Sequence, residues 1–289
     1  MAKHVTPLAC MGILVLLSIS LTGPVHATGS SVVYVGGSGT GNYTTIHEAI
    51  AATSPNGIII AYPGEYHENI VLDKPLELHG SGQNTTIING SGTGNVITVT
   101  ADGVVLQDLT VRGSELAFPR AGIMVEANNT RVANVTLTDN YYGAILAWST
   151  SGAVFEADHI VGNHKCGVYF SHSSMNLFRG NTITDNPFNG CGLYESSNGN
   201  RILNNTFARN GFCGVNVRDS SRNVITGNRF EGNAIGIHVP PPPFHVTMEK
   251  NVFLGNTQSV EEEVNAFVAV GLLFVAVVFL GMLWLWRRL

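Results

Sequence analysis

A six-residue segment recurs at a nearly constant interval through the second half of the chain. It reads Asn181-Thr-Ile-Thr-Asp-Asn186 and returns at 205–210, 228–233 and 251–256, with degenerate copies at 135–140 and 158–163. The closing asparagines are separated by 23, 23, 24, 23 and 23 residues. A fixed period of this length is typical of a solenoid, in which each repeat forms one coil.

Three apolar positions recur in each repeat and indicate β structure. The first row contains Val132, Phe155, Phe178, Ile202, Ile225 and Met248. The second row contains Leu137, Ile160, Ile183, Phe207, Phe230 and Phe253. The third row, in which each member follows a glycine, contains Ala144, Val168, Leu193, Val215 and Ile237. Short alternating runs between the rows have the period of a strand, and none is long enough for a helix.

Three inward rows per coil predict an all-β parallel β-helix with three short strands in each coil of about 23 residues. Asparagine tolerates the left-handed backbone of a sharp corner, and stacked amides can hydrogen-bond from coil to coil. The recurring asparagines are therefore predicted to stack at the corners.

The ends of the chain predict export and membrane attachment. Lys3, an apolar run and Val25-His26-Ala27 are typical of a signal peptide. The uncharged apolar run 266–286 is long enough to span a bilayer, and Arg287-Arg288 place its following end in the cytoplasm. The predicted organisation is a signal peptide at 1–27, a β-helix ectodomain at 28–257, an acidic linker at 258–265, a transmembrane helix at 266–286 and a cytoplasmic tail at 287–289.

A helix is predicted near residues 44–53, at the start of the solenoid. Thr45-Ile46-His47-Glu48 has the pattern of a capping box, and Ile46, Ala49 and Ile50 share one apolar face. Because an open solenoid end exposes its core, this helix is predicted to cap it.

The first coils carry a specific family resemblance. The runs 41–50, 60–70 and 76–82, which include Tyr62-Pro63-Gly64-Glu65 and Leu76-Glu-Leu-His-Gly-Ser-Gly82, resemble the entry of pectin-lyase-fold proteins. The later asparagine-rich coils resemble NosD-type β-helix repeats of the carbohydrate-binding and sugar-hydrolase class. The resemblance covers roughly residues 32–256 and implies the right-handed form of the parallel β-helix, a fold that hosts many functions.

Charge and sequons add bounds on the partners. Without Lys3, Arg287 and Arg288, 12 basic and 20 acidic residues remain, a net charge of about −8, which argues against a nucleic-acid partner. Candidate glycosylation sites are Asn42, Asn84, Asn89, Asn128, Asn134 and Asn204.

Cysteines and histidines are the candidate metal-binding or redox groups. Cys166, Cys191 and Cys213 each precede a corner glycine, so they are interpreted as one row of small core residues; one disulfide with one thiol left over is the alternative. His159, His164 and His172 fall in one coil without compact ligand spacing. The NosD resemblance implies copper handling as a further alternative, but no metal ligand and no cofactor are predicted.

Catalysis in this fold needs converging carboxylates. Asp139 and Asp185 share a corner row, but they are two coils apart with Gly162 between them. Glu195 lies in an otherwise inward row, where burial would raise its pKa, unless it ends the row and turns outward. The pectin-esterase signatures Gly-Tyr-Gln-Asp and Asp-Phe-Ile-Phe-Gly are absent, so no catalytic residue is predicted.

An outward row beside the third core row is rich in aromatic residues, which can stack on sugar rings or on one another. It reads Met124, Ile145, Tyr169, Tyr194, Asn216 and His238. The longest corner insertion is predicted at 186–191, in front of it. The ligand-binding candidates are Tyr141, Tyr169, Phe188, Tyr194, Phe212, Asn216 and His238.

The sequence thus predicts a membrane-anchored, single-pass surface protein with its β-helix outside the cytoplasm. It would act as an envelope scaffold or as a binding module for a polysaccharide or surface glycoprotein, without catalysis. The alternatives are a carbohydrate-active enzyme of the lyase or hydrolase type and a copper-handling accessory protein.

Overall fold

The computed structural model describes residues 31–146, 150–239 and 245–262. The predicted signal peptide, transmembrane helix and cytoplasmic tail lie outside these residues. Within the described ranges, no helix combines the length and apolarity that crossing a bilayer requires.

Short strands and one helix, α1 (Ile46–Ala52), make up the described fold. The strands of the first coils are β1 (Val32–Val35), β2 (Gly57–Ala61), β3 (Gly64–Tyr66), β4 (Ile70–Leu72), β5 (Leu76–His79), β6 (Thr86–Asn89), β7 (Ile97–Val99), β8 (Val105–Gln107) and β9 (Thr110–Arg112). The middle coils contain β10 (Ala121–Val125), β11 (Arg131–Ala133), β12 (Thr136–Thr138), β13 (Tyr142–Leu146), β14 (Val154–Glu156), β15 (His159–Val161), β16 (Val168–Ser171), β17 (Leu177–Arg179) and β18 (Thr182–Thr184). The last coils contain β19 (Cys191–Tyr194), β20 (Arg201–Leu203), β21 (Thr206–Ala208), β22 (Cys213–Val217), β23 (Asn223–Thr226), β24 (Arg229–Glu231), β25 (Ile235–Val239), β26 (Val246–Glu249), β27 (Val252–Leu254) and β28 (Gln258–Glu262).

Every strand pairs in parallel with its counterpart one coil away. The described strands form three sheets. Sheet A has ten strands in the order β1-β2-β5-β8-β11-β14-β17-β20-β23-β26. Sheet B has nine, from β3 to β27, and sheet C has nine, from β4 to β28. This topology is the parallel β-helix that the repeat predicts, in the right-handed form that the family resemblance implies.

The first two core rows are confirmed. The first row pairs residue by residue from Val132 to Met248 along sheet A, and the second does so from Leu137 to Phe253 along sheet B. The rings of Phe207 and Phe230 stack at 5.2 Å with an interplanar angle of 7°. The core is therefore a continuous stack of large apolar side chains, which is the main stabilising term of such a fold.

The third row is wrong at one coil. In sheet C, Cys191 pairs with Val168 and Val215, whereas Leu193 pairs with Phe170 and Val217. The register therefore differs by two residues from the prediction. The error arose because glycine precedes both Cys191 and Leu193, so glycine alone could not identify the inward position.

The corner asparagines stack as predicted. Asn140, Asn163, Asn186, Asn210 and Asn233 are buried. Each donates from Nδ2 to Oδ1 of the asparagine one coil further on, at 3.0–3.2 Å. A second ladder runs through Asp158, Asn181, Asn205, Asn228 and Asn251, in which each Oδ1 from Asn181 onward accepts the backbone N–H of the preceding member. Paired in this way, the amides can be buried without an orphaned polar group.

Helix α1 covers the first coils, as predicted. The Thr45 side chain accepts a hydrogen bond from Glu48 N, and the Glu48 side chain accepts one from Thr45 N, which completes the capping box. The Glu68 carboxylate also accepts from the N–H groups of Ile46 and His47, at 2.8 and 2.9 Å. These bonds satisfy the free N–H groups at the start of the helix.

The solenoid extends further than predicted. Residues 258–262, assigned to an acidic linker, form β28 and pair with β25, with Val260 opposite Ile237. Val260 packs against the core. The glutamates at 261–263 obscured this strand in the sequence, although Val260 lies one period after Ile237. The proline run 240–243 lies outside the described residues.

Candidate functional site

Aromatic side chains form a continuous run on the outer face of sheet C. Tyr142 meets Tyr141 at 5.2 Å and Tyr169 at 5.5 Å, both edge to face. Tyr169 in turn stacks on Tyr194 at 4.8 Å with an interplanar angle of 25°. Tyr142 also belongs to a small apolar cluster with Ala121, Met124, Ile145 and Cys166. The rings are thus supported by packing, not held out singly into solvent.

A cleft of ≈ 410 Å³ opens beside this run and is here called the aromatic cleft. It is lined by Tyr169, Phe188, Tyr194, Glu195, Phe212, Asn216, Arg218 and Asp219. The structure therefore brings together five of the seven side chains that the sequence proposes as ligand-binding candidates.

Tyr194 reaches the cleft by a different route from the one predicted. Gly192, not Tyr194, occupies the row between Tyr169 and Asn216. A Cβ atom at Gly192 would lie 2.2 Å from the Tyr194 ring. The absent side chain of Gly192 therefore makes room for the ring of Tyr194 to fold back against Tyr169. Asn189 Nδ2 donates to the Tyr194 hydroxyl at 2.6 Å and fixes the ring.

A second pair of rings borders the cleft. Phe188 and Phe212 stack at 5.3 Å with an interplanar angle of 15°, and the Lys165 ammonium lies 4.6 Å from the Phe188 ring centre. Phe212 is 36% exposed. The lining thus presents two stacked aromatic pairs, which can offer flat apolar faces to a ligand.

The other two candidates lie apart from the lining. Tyr141 packs on the apolar cluster next to Tyr142. His238 Nδ1 lies 3.1 Å from Asn216 Oδ1, so the histidine is one coil beyond the cleft in the same row. Neither residue lines the aromatic cleft.

The charged residues at the cleft were not predicted as ligand contacts. Arg218 and Asp219 follow β22 directly, and Glu195 follows β19. The strands of sheet C all run in the same direction, so the residues that directly follow them stack along one corner of the solenoid. That rule could have identified all three from the sequence.

Glu195 turns outward and is not a buried acid. Its side chain is 52% exposed, accepts a hydrogen bond from the Ser171 hydroxyl and lies 3.4 Å from His172 Nδ1. The row assigned to it from the sequence is wrong, because Leu193 pairs with Phe170 and fills that row, but the outward orientation given as the alternative to burial is correct. The coil from Asn186 to Asn210 is one residue longer than its neighbours. The extra residue lies after β19, where Glu195 and Ser196 both have positive φ, whereas the sequence placed the insertion at 186–191.

The corner aspartates Asp139 and Asp185 pair with basic side chains away from the aromatic cleft. Asp185 accepts two hydrogen bonds from the Arg209 guanidinium, at 2.7 and 2.8 Å, which lower the pKa of its carboxyl group. Asp139 lies 2.8 Å from His164 Nε2. Neither lines the aromatic cleft.

The three described cysteines are free and buried. Cys166 and Cys213 share a row, but Asn189 occupies the coil between them. Its carbonyl accepts from Gly167 N at 2.9 Å, and its Oδ1 accepts from Cys213 N at 3.2 Å. Two coils separate sulfur-bearing residues by about 9.6 Å, beyond the Cα spacing of a disulfide. The single predicted row of three cysteines is therefore wrong, because Cys191 belongs to the next row.

All six predicted glycosylation sites are exposed or partly exposed. Asn84, Asn134 and Asn204 are the exposed ones. The Asn89 amide donates to Glu65 at 2.6 Å, and that of Asn134 donates to Asp108 at 2.6 Å. Whether any of the six is modified stays a prediction.

The three parallel sheets place the chain in the class of parallel β-helix proteins. The model of a family described as "Periplasmic copper-binding protein (NosD)" matches residues 79–269. The chain belongs to this NosD family. It is also 32% identical over 196 residues to a cell surface glycoprotein of Methanothermus fervidus. That match covers 66% of this chain and 28% of the glycoprotein, so the chain spans less than a third of this relative.

Solved structures show the same fold. The catalytic unit of a GH87 α-1,3-glucanase from Streptomyces thermodiastaticus has a TM-score of 0.62 at 19% identity, covering 78% of this chain and 47% of its own. An alginate lyase from Paenibacillus gives 0.58 at 15% identity, covering 76% and 96%. Pectate lyase Pel9A gives 0.57 at 17% identity, covering 82% and 79%. Similarity at these identities extends to the fold alone.

The described residues do not fit a copper site. Copper ligands in proteins are thiolates, thioethers and imidazoles, and a thiol must lose its proton to bind. Burial raises the pKa of Cys166 to about 11 and that of Cys213 to about 12, and it raises the pKa of Cys191 as well. In the ranges that the structure covers, no three His, Cys, Asp or Glu side chains converge on a point that could hold a metal ion.

Proposed function

We propose that this protein is a surface β-helix that binds glycan chains in the aromatic cleft without cleaving them. The observation that carries the proposal is the stacking of Tyr169 on Tyr194 beside the Phe188–Phe212 pair around one cleft. Sugar rings have apolar C–H faces that pack on aromatic rings, while amide and charged groups at the rim bond to hydroxyl groups.

A surface location is supported by both relatives. The family description includes the word periplasmic, and the curated relative is a cell surface glycoprotein. The uncharged apolar run 266–286 would anchor the protein in the membrane, with the β-helix outside the cytoplasm. Alkaline extraction of membranes that carry the full-length chain tests this anchor; release with the peripheral proteins would contradict it.

A glycan array probed with the full-length protein tests the binding proposal. We expect retention of one or more neutral oligosaccharides. Tyr194→Ala should weaken that retention at least tenfold, because it removes one face of the stacked pair. Tyr194→Phe keeps the ring and loses only the bond from Asn189, so it should retain most of the affinity. Tyr34→Ala removes a ring that is stacked on Tyr62 at 6.0 Å on sheet A, and serves as the matched control.

Two results would contradict the proposal. One is a wild-type protein that retains no oligosaccharide on the array. The other is a Tyr194→Ala variant that binds as well as the Tyr34→Ala control while both remain folded by circular dichroism.

Carbohydrate cleavage is the second candidate function, because Glu195 and Asp219 both line the cleft. Glycoside hydrolysis uses two carboxyl groups across the scissile bond, one of them a general acid that burial keeps protonated. Glu195 lacks such burial, so binding is favoured over hydrolysis. Release of reducing ends from an oligosaccharide that the protein binds, abolished by Glu195→Gln, would establish the enzyme instead.

A further inference from the structure

A second cleft lies on the outer face of sheet A, away from the aromatic cleft. Its volume is ≈ 660 Å³, and it is lined by residues that include Ser174, Met175, Asn198, Arg201 and Arg222. None of its lining residues is acidic. None of them lines the aromatic cleft either.

Arg201 and Arg222 have no acidic partner in the part of the chain that the structure describes. The arginines that form ion pairs there are Arg112, Arg120, Arg131, Arg179, Arg209 and Arg229. Arg201 and Arg222 are both exposed. A guanidinium presents a planar fork of donors that matches a carboxylate or sulfate group, so the pair is available to an anion from solution.

The remaining lining suits the other parts of a sugar. Met175 is 72% exposed and offers an apolar surface beside the arginines. Asn198 Oδ1 accepts from Ser221 N at 2.6 Å, which orients the amide and leaves Nδ2 as a donor. Ser174 accepts from Asn198 N at 2.9 Å, so the polar groups of this wall are held by one another.

A neighbouring cleft of ≈ 410 Å³ continues the same face. There Arg131 and Arg179 share the single carboxylate of Glu156, at 2.8 and 2.7 Å from their Nε atoms. One carboxylate cannot neutralise two guanidinium groups, so one positive charge remains. Together, the linings of the two clefts contain four arginines and one glutamate, on a chain whose net charge is −5.

Strand register sets the spacing of these charges. Arg131 and Arg201 share one outward row of sheet A, and Arg179 lies in the other. Arg222 comes just before β23, which is four coils after β11. With about 4.8 Å per coil the arginines extend over about 19 Å along the solenoid axis, which is longer than a single sugar.

We infer that this arginine face, formed by Arg131, Arg179, Arg201 and Arg222, binds an acidic polysaccharide that runs along the solenoid axis. The carboxylate or sulfate groups of the chain pair with the guanidinium groups, and a sugar face packs on Met175. A nucleic acid is less suited, because its bases need aromatic platforms and neither cleft is lined by an aromatic residue.

Binding of the full-length protein to four immobilised chains tests this site. The probes are polygalacturonate, dextran sulfate, uncharged dextran and a thymidine oligonucleotide. We expect binding to at least one of the two acidic polysaccharides, weakened by salt, and none to dextran. Preference for polygalacturonate identifies a carboxylate ligand, and preference for dextran sulfate identifies a sulfate ester.

Two double variants assign the binding to this face. Arg201→Ala with Arg222→Ala should weaken it at least tenfold. Arg209→Ala with Arg229→Ala removes two exposed arginines near sheet B and the same net charge, so it should change affinity by no more than about twofold. Both variants alter exposed side chains, and thermal unfolding would verify that they fold.

The inference fails if neither acidic polysaccharide binds, if dextran binds equally well, or if both double variants lose the same affinity. It also fails if the oligonucleotide binds as tightly through Arg201 and Arg222, which would assign the face to nucleic acid. Tyr194→Ala should leave this binding unchanged, so its outcome is independent of that for the aromatic cleft.

Discussion

Replacing Asp158 with asparagine should stabilise the protein. Asp158 is 1% exposed and occupies a position in the second asparagine ladder. Its Oδ1 accepts from Val135 N at 2.9 Å, but its Oδ2 has no hydrogen-bond partner. Burial raises the pKa of this carboxyl group well above its usual value. Folding therefore favours the protonated form.

The neighbouring coils show what an amide would gain. The Nδ2 groups of Asn181, Asn205 and Asn228 each donate to the carbonyl of a first-row residue, at 3.0, 2.9 and 2.8 Å. The corresponding acceptor for residue 158 is the carbonyl of Val132, by the register of sheet A. Satisfying a buried polar group is worth about 1–3 kcal/mol, so Asp158→Asn should raise the free energy of unfolding by about that amount. For a chain of this size, this corresponds to about 2–4 °C in Tm per kcal/mol.

The gain should depend on pH with a definite sign. Because the folded pKa of Asp158 lies above its unfolded pKa of about 3.9, the stability that this group contributes is fully present below pH ~4 and is lost as pH rises through the folded pKa. Asparagine does not titrate, so the advantage of Asp158→Asn should be larger at pH 7 than at pH 4. Differential scanning calorimetry at both values measures it.

The reciprocal change provides a control. Asn181→Asp places a carboxylate one coil further along the same ladder, and it should destabilise the protein more at pH 7 than at pH 4. An Asp158→Asn variant that is less stable than wild type, or whose gain is equal at the two pH values, would refute this reasoning.

The remaining predictions concern packing and the cleft. Phe207→Ala removes a ring from the core stack and should lower the free energy of unfolding by about 3–5 kcal/mol in guanidinium titrations; a loss below 1 kcal/mol would argue against the stack. The three described cysteines should react with a thiol reagent only after denaturation, because their thiols are buried and protonated; fast reaction of the native protein would be inconsistent with that burial. Gly192→Ala should displace the Tyr194 ring and reduce glycan retention as Tyr194→Ala does, and unchanged retention would count against the close contact.

Much of the fold could be predicted because the repeat is regular. The first two core rows follow at constant distance from the closing asparagine, so their registers were recovered in every coil from Val132 onward. The third row follows a corner of variable length. Its true members lie four or five residues after the closing asparagine, whereas Leu193 lies seven after Asn186. That count, in addition to the glycine, would have selected Cys191.

The site was harder to predict than the core. Alternation along a strand shows which residues face outward, and it correctly placed Tyr169 and Asn216. It cannot show that the side chain of Tyr194 folds back over Gly192, because that contact depends on a missing Cβ and on the Asn189 hydrogen bond. The arginine face was overlooked for a related reason. Its successive members lie 21 to 48 residues apart in sequence and come together only through the stacking of coils.

Hydrogen–deuterium exchange of the full-length protein, with and without the neutral oligosaccharide that binds best on the array, tests the central claim most directly. Ligand binding should slow exchange in segments 168–172, 188–196 and 212–219, which line or flank the aromatic cleft, and leave 199–203 and 222–226 on sheet A unchanged. Protection confined to sheet A, or spread evenly along the solenoid, would contradict the account.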